Sequence, residues 1–350
     1  MLSVDPVIFK LETSIVFLPP LEALKLFEAE AKEHNLAFTQ TSESTYRAGT
    51  QAGVIDFRVT DSALDLKVSS PSKDALYLLK ESIDAHIVHF TEGRVKQAWQ
   101  GDLPAGALPP NFTKATVLGA EAFTCNFMRV TLRVPDIERF SADALHFRLL
   151  FPKKRGVGPQ WPFVDENGRT VWPEGDKELM RQVYTVRSFN KAQSTFDLDV
   201  FMHEDGPTSE WASRVSAGDE VGLLGPSGGV LPKEKFVLFA GDETAFPAIC
   251  RTLLDLPKDT CGKVLLMVSS EKDERFVVDA PEGMDVEWVL RDGQGQDVLL
   301  EAAKTVALEG EKDSFVWFAA NKELSKKARK YFRNELGYTA KNSYIAGYWE

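Results

Sequence analysis

Hydrophobic and polar positions alternate with a period of two over several short stretches near the start of the chain. The clearest are VIDFRVT (Val54–Thr60) and ALDLKVS (Ala63–Ser69), which predict half-buried strands. Apolar positions three and four residues apart in Leu21–His34 and Lys73–His89 predict amphipathic helices. Further strands are predicted at Glu12–Leu18, Ala37–Thr41 and Ser44–Thr50. Residues 1–95 are therefore predicted to form a small α+β domain, an open-faced sheet with helices on one side.

Gly and Pro residues are concentrated in residues 96–111, which predicts a linker. Six apolar stretches after it predict strands, with a short helix before the last and a long loop over Pro152–Leu179. These strands are Thr113–Phe123, Met128–Val134, Leu145–Phe151, Val183–Phe189, Thr195–Met202 and Glu220–Leu224. Residues 112–232 are therefore predicted to form a six-stranded antiparallel β-barrel.

From Lys235 onward the pattern changes to alternating apolar strands and amphipathic helices. The predicted strands are Phe236–Ala240, Lys263–Ser269, Asp285–Leu290, Ser314–Ala319 and Ser343–Tyr348. The predicted helices are Glu243–Leu256, Gln296–Leu308 and Leu324–Leu336. Such alternation is typical of a parallel sheet covered by helices, so residues 233–350 are predicted to be an α/β domain of the dinucleotide-binding kind.

Composition narrows the class of protein. The 350 residues carry a formal net charge of −11, which disfavours a nucleic acid as partner because phosphate binding needs a basic surface. No apolar run reaches the roughly 18 residues of a membrane span and no signal-peptide pattern is present, so we expect a cytoplasmic protein. Cys125, Cys250 and Cys261 lack metal-site spacing, so we expect neither a bound metal nor a disulfide framework.

The seven residues from Arg181 to Arg187 read RQVYTVR and are the most informative stretch of the chain. Because side chains alternate across a strand, Arg181 and Thr185 share one face and Tyr184 points to the other. A guanidinium binds pyrophosphate oxygens, a phenol covers an aromatic ring system, and a hydroxyl or main-chain amide reaches a ring nitrogen. The arrangement therefore suits a flavin nucleotide.

Two later motifs offer free backbone amides. In His203–Ala212, HEDGPTSEWA, a Gly-Pro turn leads to a helix that begins at Thr208 or Ser209 and presents N–H groups to a phosphate. In Phe236–Ala245, FVLFAGDETA, an apolar strand turns through Gly241 into a helix with the same property. The G-x-G-x-x-G pattern is absent, so the second motif is weak by itself.

In combination and in this order, the motifs resemble the siderophore-interacting protein family, flavin-dependent ferric-siderophore reductases of the ferredoxin-reductase-like superfamily. The resemblance covers roughly residues 112–349 and includes R-x-x-Y-T-x-R, H-x-x-G-P-T-S-x-W-A, G-D-E-T-A and a closing G-Y-W at Gly347–Trp349. It implies FAD, NADPH or NADH as electron donor, and a ferric siderophore as substrate. The first 95 residues resemble a small domain of unknown function that sometimes precedes such proteins.

The resemblance also implies roles for individual residues. Tyr184 should pack on the isoalloxazine and Thr185 should hydrogen-bond its reactive edge, so both are expected at the catalytic centre. The other expected cofactor-binding residues are Arg181, Val186, Arg187, His203, Gly206, Thr208, Ser209, Trp211, Gly241, Asp242, Thr244, Ala245, Ser269, Arg291 and Trp349. The expected substrate-binding residues are Arg187 and a basic stripe on the last helix, Lys326, Lys330 and Arg333.

Simpler structural interpretations stay open for several of these residues. Trp211 can pack on the barrel, Asp242 and Glu243 can cap the following helix, and the basic stripe can be a solvated face. The choice of nicotinamide cofactor also stays open. Ser269, Ser270, Lys272 and Arg291 favour NADPH, whereas Glu271 favours NADH.

The substrate and the reaction leave alternatives as well. An acidic protein favours a neutral or cationic hydroxamate chelate over an anionic tris-catecholate, unless a local basic patch exists. A general flavin or ferredoxin-type reductase is one alternative function, and a non-catalytic siderophore-binding or scaffold protein is another. The sequence does not predict the oligomeric state or the role of residues 1–95.

Overall fold

The computed structural model describes residues 8–33, 36–50, 52–95, 97–103, 105–124, 126–141, 145–204, 206–269, 278–291, 293, 295–306 and 313–350. Cys125, Ser270, Glu271 and Lys272, on which predictions were made, lie outside the described residues. The chain forms two compact units. The first comprises Met1–Phe112 and Lys154–Glu178, and the second comprises Thr113–Lys153 and Leu179–Glu350.

The regular elements follow the predicted order closely. The strands are β1 (Phe9–Ile15), β2 (Ala37–Gln40), β3 (Thr45–Gly49), β4 (Val54–Val59), β5 (Leu64–Ser70), β6 (Gln100–Gly101), β7 (Phe112–Ala122), β8 (Phe127–Arg133), β9 (His146–Pro152), β10 (Phe163–Val164), β11 (Thr170–Val171), β12 (Leu179–Thr185), β13 (Ser188–Asn190), β14 (Thr195–Phe201), β15 (Glu220–Ser227), β16 (Phe236–Gly241), β17 (Cys261–Val268), β18 (Gly283–Leu290), β19 (Ser314–Asn321) and β20 (Ser343–Trp349). The helices are α1 (Pro20–Glu33), α2 (Lys73–Phe90), α3 (Pro207–Ala212), α4 (Phe246–Asp255), α5 (Asp297–Thr305) and α6 (Lys322–Arg329). A π-helical turn, Lys330–Glu335, continues α6.

The first unit is built on an antiparallel sheet of order β2-β3-β4-β5-β1-β6. Apolar side chains of one sheet face pack with α1 and α2 into a common core. The alternate positions carry cross-strand ion pairs such as Arg47–Asp56 and Arg58–Asp65. Residues 97–103, expected within a linker, belong to this unit because β6 pairs with β1 and Trp99 is buried in the core.

The long segment between β9 and β12 also belongs to the first unit, although the predicted boundaries placed it with the barrel. It contains the hairpin β10–β11, and Thr170 on β11 donates a hydrogen bond to Glu81 on α2. Beside them the buried ammonium of Lys80 pairs with both Glu81 and Asp84 at 2.9 Å. The Thr170–Glu81 bond holds the segment against α2, and Lys80 pairs with the carboxylate that accepts it.

In the second unit a seven-stranded sheet of order β12-β9-β15-β7-β8-β14-β13 forms a barrel-like structure. The predicted strand Val183–Phe189 is divided into β12 and β13, which lie at the two ends of this order. Only Val186 and Arg187 separate the two strands, and their backbone amides form hydrogen bonds to opposite edges of the sheet. The amide of Val186 donates to Leu145 O, and the amide of Arg187 donates to Asp197 O on β14. The chain thus passes from one edge of the sheet to the other, which brings the edges together.

The parallel sheet of the second unit has the order β18-β17-β16-β19-β20. Its two faces pack into separate apolar clusters, as expected for a sheet covered on both sides. Helix α4 begins at Phe246, three residues after the predicted start, because Glu243–Ala245 form a tighter turn before Pro247. Among the described residues no helix has both the length and the apolar character of a membrane-spanning helix.

Candidate active site

A cleft of about 390 Å³ lies within the second unit, where the barrel-like sheet meets the carboxyl ends of β16 and β20. Its volume is within the usual range of small-molecule sites. The lining comes from β12, the end of β14, the start of α3, the turn after β16 and the end of β20. Two carboxylates, Asp199 and Glu243, line the cleft, but no Lys or Arg does so within the described part of the chain.

Tyr184 and Thr185 both line this cleft, as expected from the RQVYTVR stretch. The Tyr184 hydroxyl hydrogen-bonds the side chain of Thr208 at the start of α3, and burial raises the pKa of Tyr184 to about 12. The phenol is therefore neutral at physiological pH. Tyr184 also packs against the barrel core, so it serves both the core and the cleft. Thr185 is 6% exposed.

His146 is the residue of this site that the sequence did not indicate. It begins β9, directly opposite Thr185 of β12, and its Nδ1 lies 3.2 Å from Thr185 Oγ1. Its Nε2 lies 3.2 Å from the Tyr348 hydroxyl and 3.4 Å from that of Tyr344. Burial lowers the pKa of His146 to about 4, so the ring is neutral at pH 7. A chain of neutral polar groups therefore runs from β20 to Thr185.

The turn before α3 is tightly packed. Ser209 Oγ accepts a hydrogen bond from the His203 amide and donates one to Phe201 O. A Cβ on Gly206 would lie 2.7 Å from the His203 ring and 2.8 Å from Ser209 Oγ, so a larger residue there would have to displace these two side chains. Gly206 itself provides no side-chain cap for α3, and the helix begins beside Thr208, which lines the cleft.

Two residues predicted as cofactor contacts lie away from the cleft lining. Trp211 is 5% exposed and stacks on Phe151 with ring centroids 5.1 Å apart, inside the barrel core and away from the cleft lining. Val186 is fully buried in the same core. Its amide bonds Leu145 O to close the barrel, so it is not available to a flavin.

The two arginines of the motif also lie outside the cleft lining. Arg181 is on the exposed side of β12, next to Gln182, which does line the cleft. Arg187 pairs with Asp199 at 3.7 Å, and Arg129 binds the same carboxylate with two hydrogen bonds of 2.7 and 2.9 Å. Asp199 therefore holds Arg187 beside the cleft.

The turn after β16 brings several predicted residues together. Gly241 allows the helix to approach, since a Cβ there would lie 2.6 Å from that of Ala245. Asp242 is 1% exposed and accepts hydrogen bonds from the Thr244 amide at 3.0 Å and from Trp349 Nε1 at 2.7 Å. Burial raises the pKa of Asp242. Asp242 thus caps the turn and does not line the cleft, whereas Thr244 and Trp349 do.

Ser269 and Arg291, at the ends of β17 and β18, both bind Glu243. Arg291 Nη2 lies 2.5 and 2.7 Å from the two carboxylate oxygens, and Ser269 Oγ donates to one of them at 2.7 Å. Glu243 is 4% exposed, so this is a largely buried ion pair. Ser269 and Arg291, predicted to bind a ribose phosphate, thus lie close together. Both bind the carboxylate of Glu243, which was not among the predicted cofactor-binding residues.

The basic stripe on the last helix does not line the cleft. Lys326 and Lys330 are exposed, and Arg333 donates hydrogen bonds to the side chain and carbonyl of Ser343 on β20. Lys326 and Lys330 are therefore surface residues, Arg333 supports β20, and the substrate-binding role expected for the three stays a prediction. Among the described residues no group of three metal-ligating side chains converges.

The cleft lining fits a flavin nucleotide on its own chemistry. Thr185, Tyr184 and Thr208 supply hydroxyl groups, and the uncapped start of α3 supplies amides for a phosphate. Comparisons with known proteins agree. The siderophore-interacting FAD-binding domain matches residues 116–230, and the siderophore-interacting protein domain matches residues 234–350.

Ferric vibriobactin reductase ViuB of Vibrio cholerae is 31% identical over 232 residues, which cover 64% of this chain and 84% of that protein. This chain belongs to the siderophore-interacting protein family. The NADPH-dependent ferric-chelate reductase of Escherichia coli is 28% identical over 68% of this chain and 92% of the relative. Residues 1–115 lie before both domain matches.

Solved structures of family members agree in fold. The siderophore utilization protein from T. fusca superposes with a TM-score of 0.60 at 27% identity, over 68% of this chain and 92% of that one. A ferredoxin NADP+ reductase from Neisseria gonorrhoeae, 15% identical with a TM-score of 0.50 over 68% of this chain and 99% of that one, shares the fold alone. The ferredoxin-reductase-like fold predicted from the sequence is confirmed.

Proposed function

We propose that this protein is a ferric-siderophore reductase that uses FAD and takes its electrons from NADPH. The observation that carries the proposal is the convergence of Tyr184 and Thr185 with the open start of α3 in one cleft of a siderophore-interacting protein. Relatives named as reductases of ferric vibriobactin, ferric acinetobactin and ferric chelates support the reaction.

The barrel side of the cleft would hold FAD. When bound, FAD accepts a hydride from NADPH and passes the electrons on one at a time. Tyr184 would cover the ring system and Thr185 would hydrogen-bond its edge. The amides at Thr208 and Ser209, with Arg181 nearby on β12, would bind the phosphates.

The ends of β16, β17 and β18 would bind NADPH. Carboxyl ends of parallel strands are where dinucleotides bind in sheets of this type. Arg291 and Ser269 supply a cation and a hydroxyl there, which suit a 2′-phosphate. The relative from Escherichia coli named as NADPH-dependent supports this choice of cofactor.

The iron is the substrate. Each chelated Fe(III) takes one electron, and the resulting Fe(II) has a lower charge density and holds hard oxygen ligands less tightly, so reduction releases it. One NADPH supplies two electrons, which corresponds to two ferric chelates reduced for each NADPH oxidised. The formal net charge of −11 favours a neutral or cationic chelate such as a hydroxamate.

Anaerobic absorbance spectroscopy of the purified protein tests this function. We expect flavin bands that bleach when NADPH is added and recover when a ferric hydroxamate follows, with a ratio of two chelates to one NADPH. A ferric catecholate and NADH, added in parallel experiments, test the substrate class and the donor. Protein without flavin bands, or with bands that neither nucleotide bleaches, would contradict the proposal.

A further inference from the structure

Arg251 is a buried cation that the proposed reaction does not use. It lies on α4 and is 6% exposed, and its neighbours Cys250 and Thr252 are buried as well. Removing a guanidinium from water costs free energy unless the group is paired and hydrogen-bonded. Arg251 Nε pairs with Asp255 Oδ2, one turn later on the same helix, at 2.8 Å. That pair accounts for Nε and leaves the terminal nitrogens of the guanidinium for other partners.

The second contact of the guanidinium is at the point where the chain crosses from β12 to β13. Val186 is fully buried there, so its carbonyl needs a hydrogen-bond donor. The adjoining backbone accepts the amides of Val186 and Arg187, through Leu145 O and Asp197 O. Within the described part of the chain, the donor to the Val186 carbonyl is Arg251 Nη1, at 3.3 Å. Helix α4 thus supplies a hydrogen bond at the place where the chain leaves β12.

The geometry of the guanidinium allows one side chain to join these parts of the second unit. The ring of Phe189 on β13 lies beside the same group, with its centroid 4.7 Å from Arg251 Cζ. A planar fork can bond Asp255 through Nε and Val186 through Nη1 while its face lies on a ring. Arg251 therefore fixes the crossover between β12 and β13 to α4.

The crossover continues directly from the cleft lining. Tyr184 and Thr185 line the cleft, and the crossover begins at the next residue. On the nucleotide side, Thr244 and Pro247 at the start of α4 line the same cleft, whereas Arg251 does not. We propose that Arg251 is a positioning residue, which holds the crossover so that Tyr184 and Thr185 keep the arrangement that binds the flavin. This inference rests on the proposed function.

The dissociation constant of FAD, measured by fluorescence on full-length protein freed of flavin, tests the inference. Arg251→Met keeps an unbranched apolar stem and removes the donor to the Val186 carbonyl. We expect the variant to bind FAD about tenfold more weakly, because a charge-assisted hydrogen bond that holds the cleft wall is lost. Affinity within about twofold of wild type would overturn the inference.

A matched control breaks the ion pair from its other end. Asp255→Ala removes the carboxylate but leaves the bond from Arg251 Nη1 to Val186 O. The Asp255 side chain is 44% exposed, so water can solvate Nε in its place. We expect its FAD affinity to stay within about twofold of wild type. A loss as large as that of Arg251→Met would assign the effect to the stability of α4 and overturn the inference.

Amide hydrogen exchange needs no flavin and separates local from general loosening. The reference is the amide of Trp317 on β19, an inner strand of the parallel sheet. In Arg251→Met without FAD, we expect the amides of Val186 and Arg187 to exchange about tenfold faster relative to this reference than in wild type. An unchanged ratio would overturn the inference, since Arg251 would then contribute to general stability alone.

The failure of this inference and the failure of the proposed function give different results. If wild type binds no FAD while exchange at the crossover changes as expected, the proposed function fails and the hold of Arg251 on the crossover stands. If wild type binds FAD and Arg251→Met changes neither the affinity nor the exchange ratio, the inference alone is overturned.

Discussion

Two clusters of polar side chains contribute to the same cleft and differ in their charge. The neutral cluster consists of Thr185, His146, Tyr344 and Tyr348, and burial keeps its imidazole and phenols uncharged at pH 7. The ionic cluster consists of Glu243, Arg291 and Ser269, joined by contacts of 2.5 to 2.7 Å. The neutral cluster is buried or partly buried, whereas the ionic cluster joins the buried Glu243 to the partly buried Arg291 and the exposed Ser269.

The difference indicates what each cluster can do for a ligand. A chain of neutral donors and acceptors has a direction and can present one oriented proton, which suits an uncharged ring system. An ion pair does not orient a single proton towards a ligand. It does contain a cation, which can bind an anion of higher charge such as a phosphate group. The neutral cluster therefore fits the flavin ring and the ionic cluster fits a phosphate group of NADPH. Of the three predictions below, one changes the neutral cluster, one changes the ionic cluster, and one changes a contact between them.

The largest effect is expected when acid puts a charge into the neutral cluster. The pKa of His146 is about 4 in the folded protein and about 6.5 in unfolded chains, so the unfolded state binds more protons between these values. Stability should therefore fall as the pH drops from 6.5 towards 4. The loss should be about 2 kcal/mol at pH 5. Tyr344 and Tyr348, which contact the ring, stay neutral throughout because burial raises the pKa of each.

Urea unfolding at pH 7 and pH 5 measures this effect. His146→Asn removes the titrating ring and keeps a polar side chain of similar shape near Thr185. We expect the free energy of unfolding of wild type to fall by about 2 kcal/mol more than that of the variant between the two pH values. Equal losses in both proteins would show that the neutral cluster tolerates the charge.

A smaller effect is expected from removing the negative charge of the ionic cluster. Glu243→Gln keeps the shape of the side chain and an acceptor for Ser269, but it releases Arg291 from a competing carboxylate. The 2′-phosphate of NADPH should then bind Arg291 more strongly. We expect KM for NADPH to fall about fivefold and KM for NADH, which lacks that phosphate, to stay the same.

Steady-state kinetics with both nucleotides checks this prediction. Glu301→Gln removes an exposed carboxylate that pairs with Lys304 and is the matched control for the loss of one negative charge. It should change neither KM. A rise in KM for NADPH with Glu243→Gln would mean that the carboxylate positions Arg291 for the phosphate and does not compete with it.

The sequence predicted the elements and singled out two residues of the cleft lining, because both are local features of the chain. Buried parallel strands such as Phe236–Gly241 are continuous apolar runs, and Tyr184 and Thr185 come from one short motif. For Trp211 the motif predicted a cofactor contact and left packing on the barrel open, and helix α3 places its ring in the barrel core. A motif gives the residue type and spacing, whereas packing decides which side of a short helix is buried.

The sequence analysis did not predict His146 and Glu243 as site residues, because their contacts join distant parts of the chain. His146 meets Tyr348, 202 residues later, and Glu243 meets Arg291, 48 residues later. The hydrophobic periodicity of a sequence does not indicate which distant residues will come into contact. One signal was present for His146: a polar residue opens the apolar strand HFRLLFP, opposite the hydroxyl of Thr185 once the strands are paired. The segment before β12 joins the first unit through polar bonds to α2, which leave no apolar pattern in the sequence.

The smallest effect is expected at the contact between Trp349 and Asp242, which lies between the two clusters. Trp349→Phe keeps an aromatic ring at the cleft but removes the hydrogen bond to a carboxylate that is 1% exposed. Thr244 still donates to Asp242, and Trp349 is 41% exposed, so water can replace part of the lost bond. We expect the free energy of unfolding to fall by about 0.5 kcal/mol.

Urea unfolding in a double-mutant cycle with Asp242→Asn isolates this contact. If the loss comes from the hydrogen bond, Trp349→Phe should cost much less in the Asp242→Asn background, where the carboxylate charge is gone. The same cost in both backgrounds would assign the loss to packing of the indole on the cleft. In that case Trp349 would belong with the neutral cluster, because its ring contact with the cleft, and not its bond to a buried carboxylate, would stabilise the end of β20.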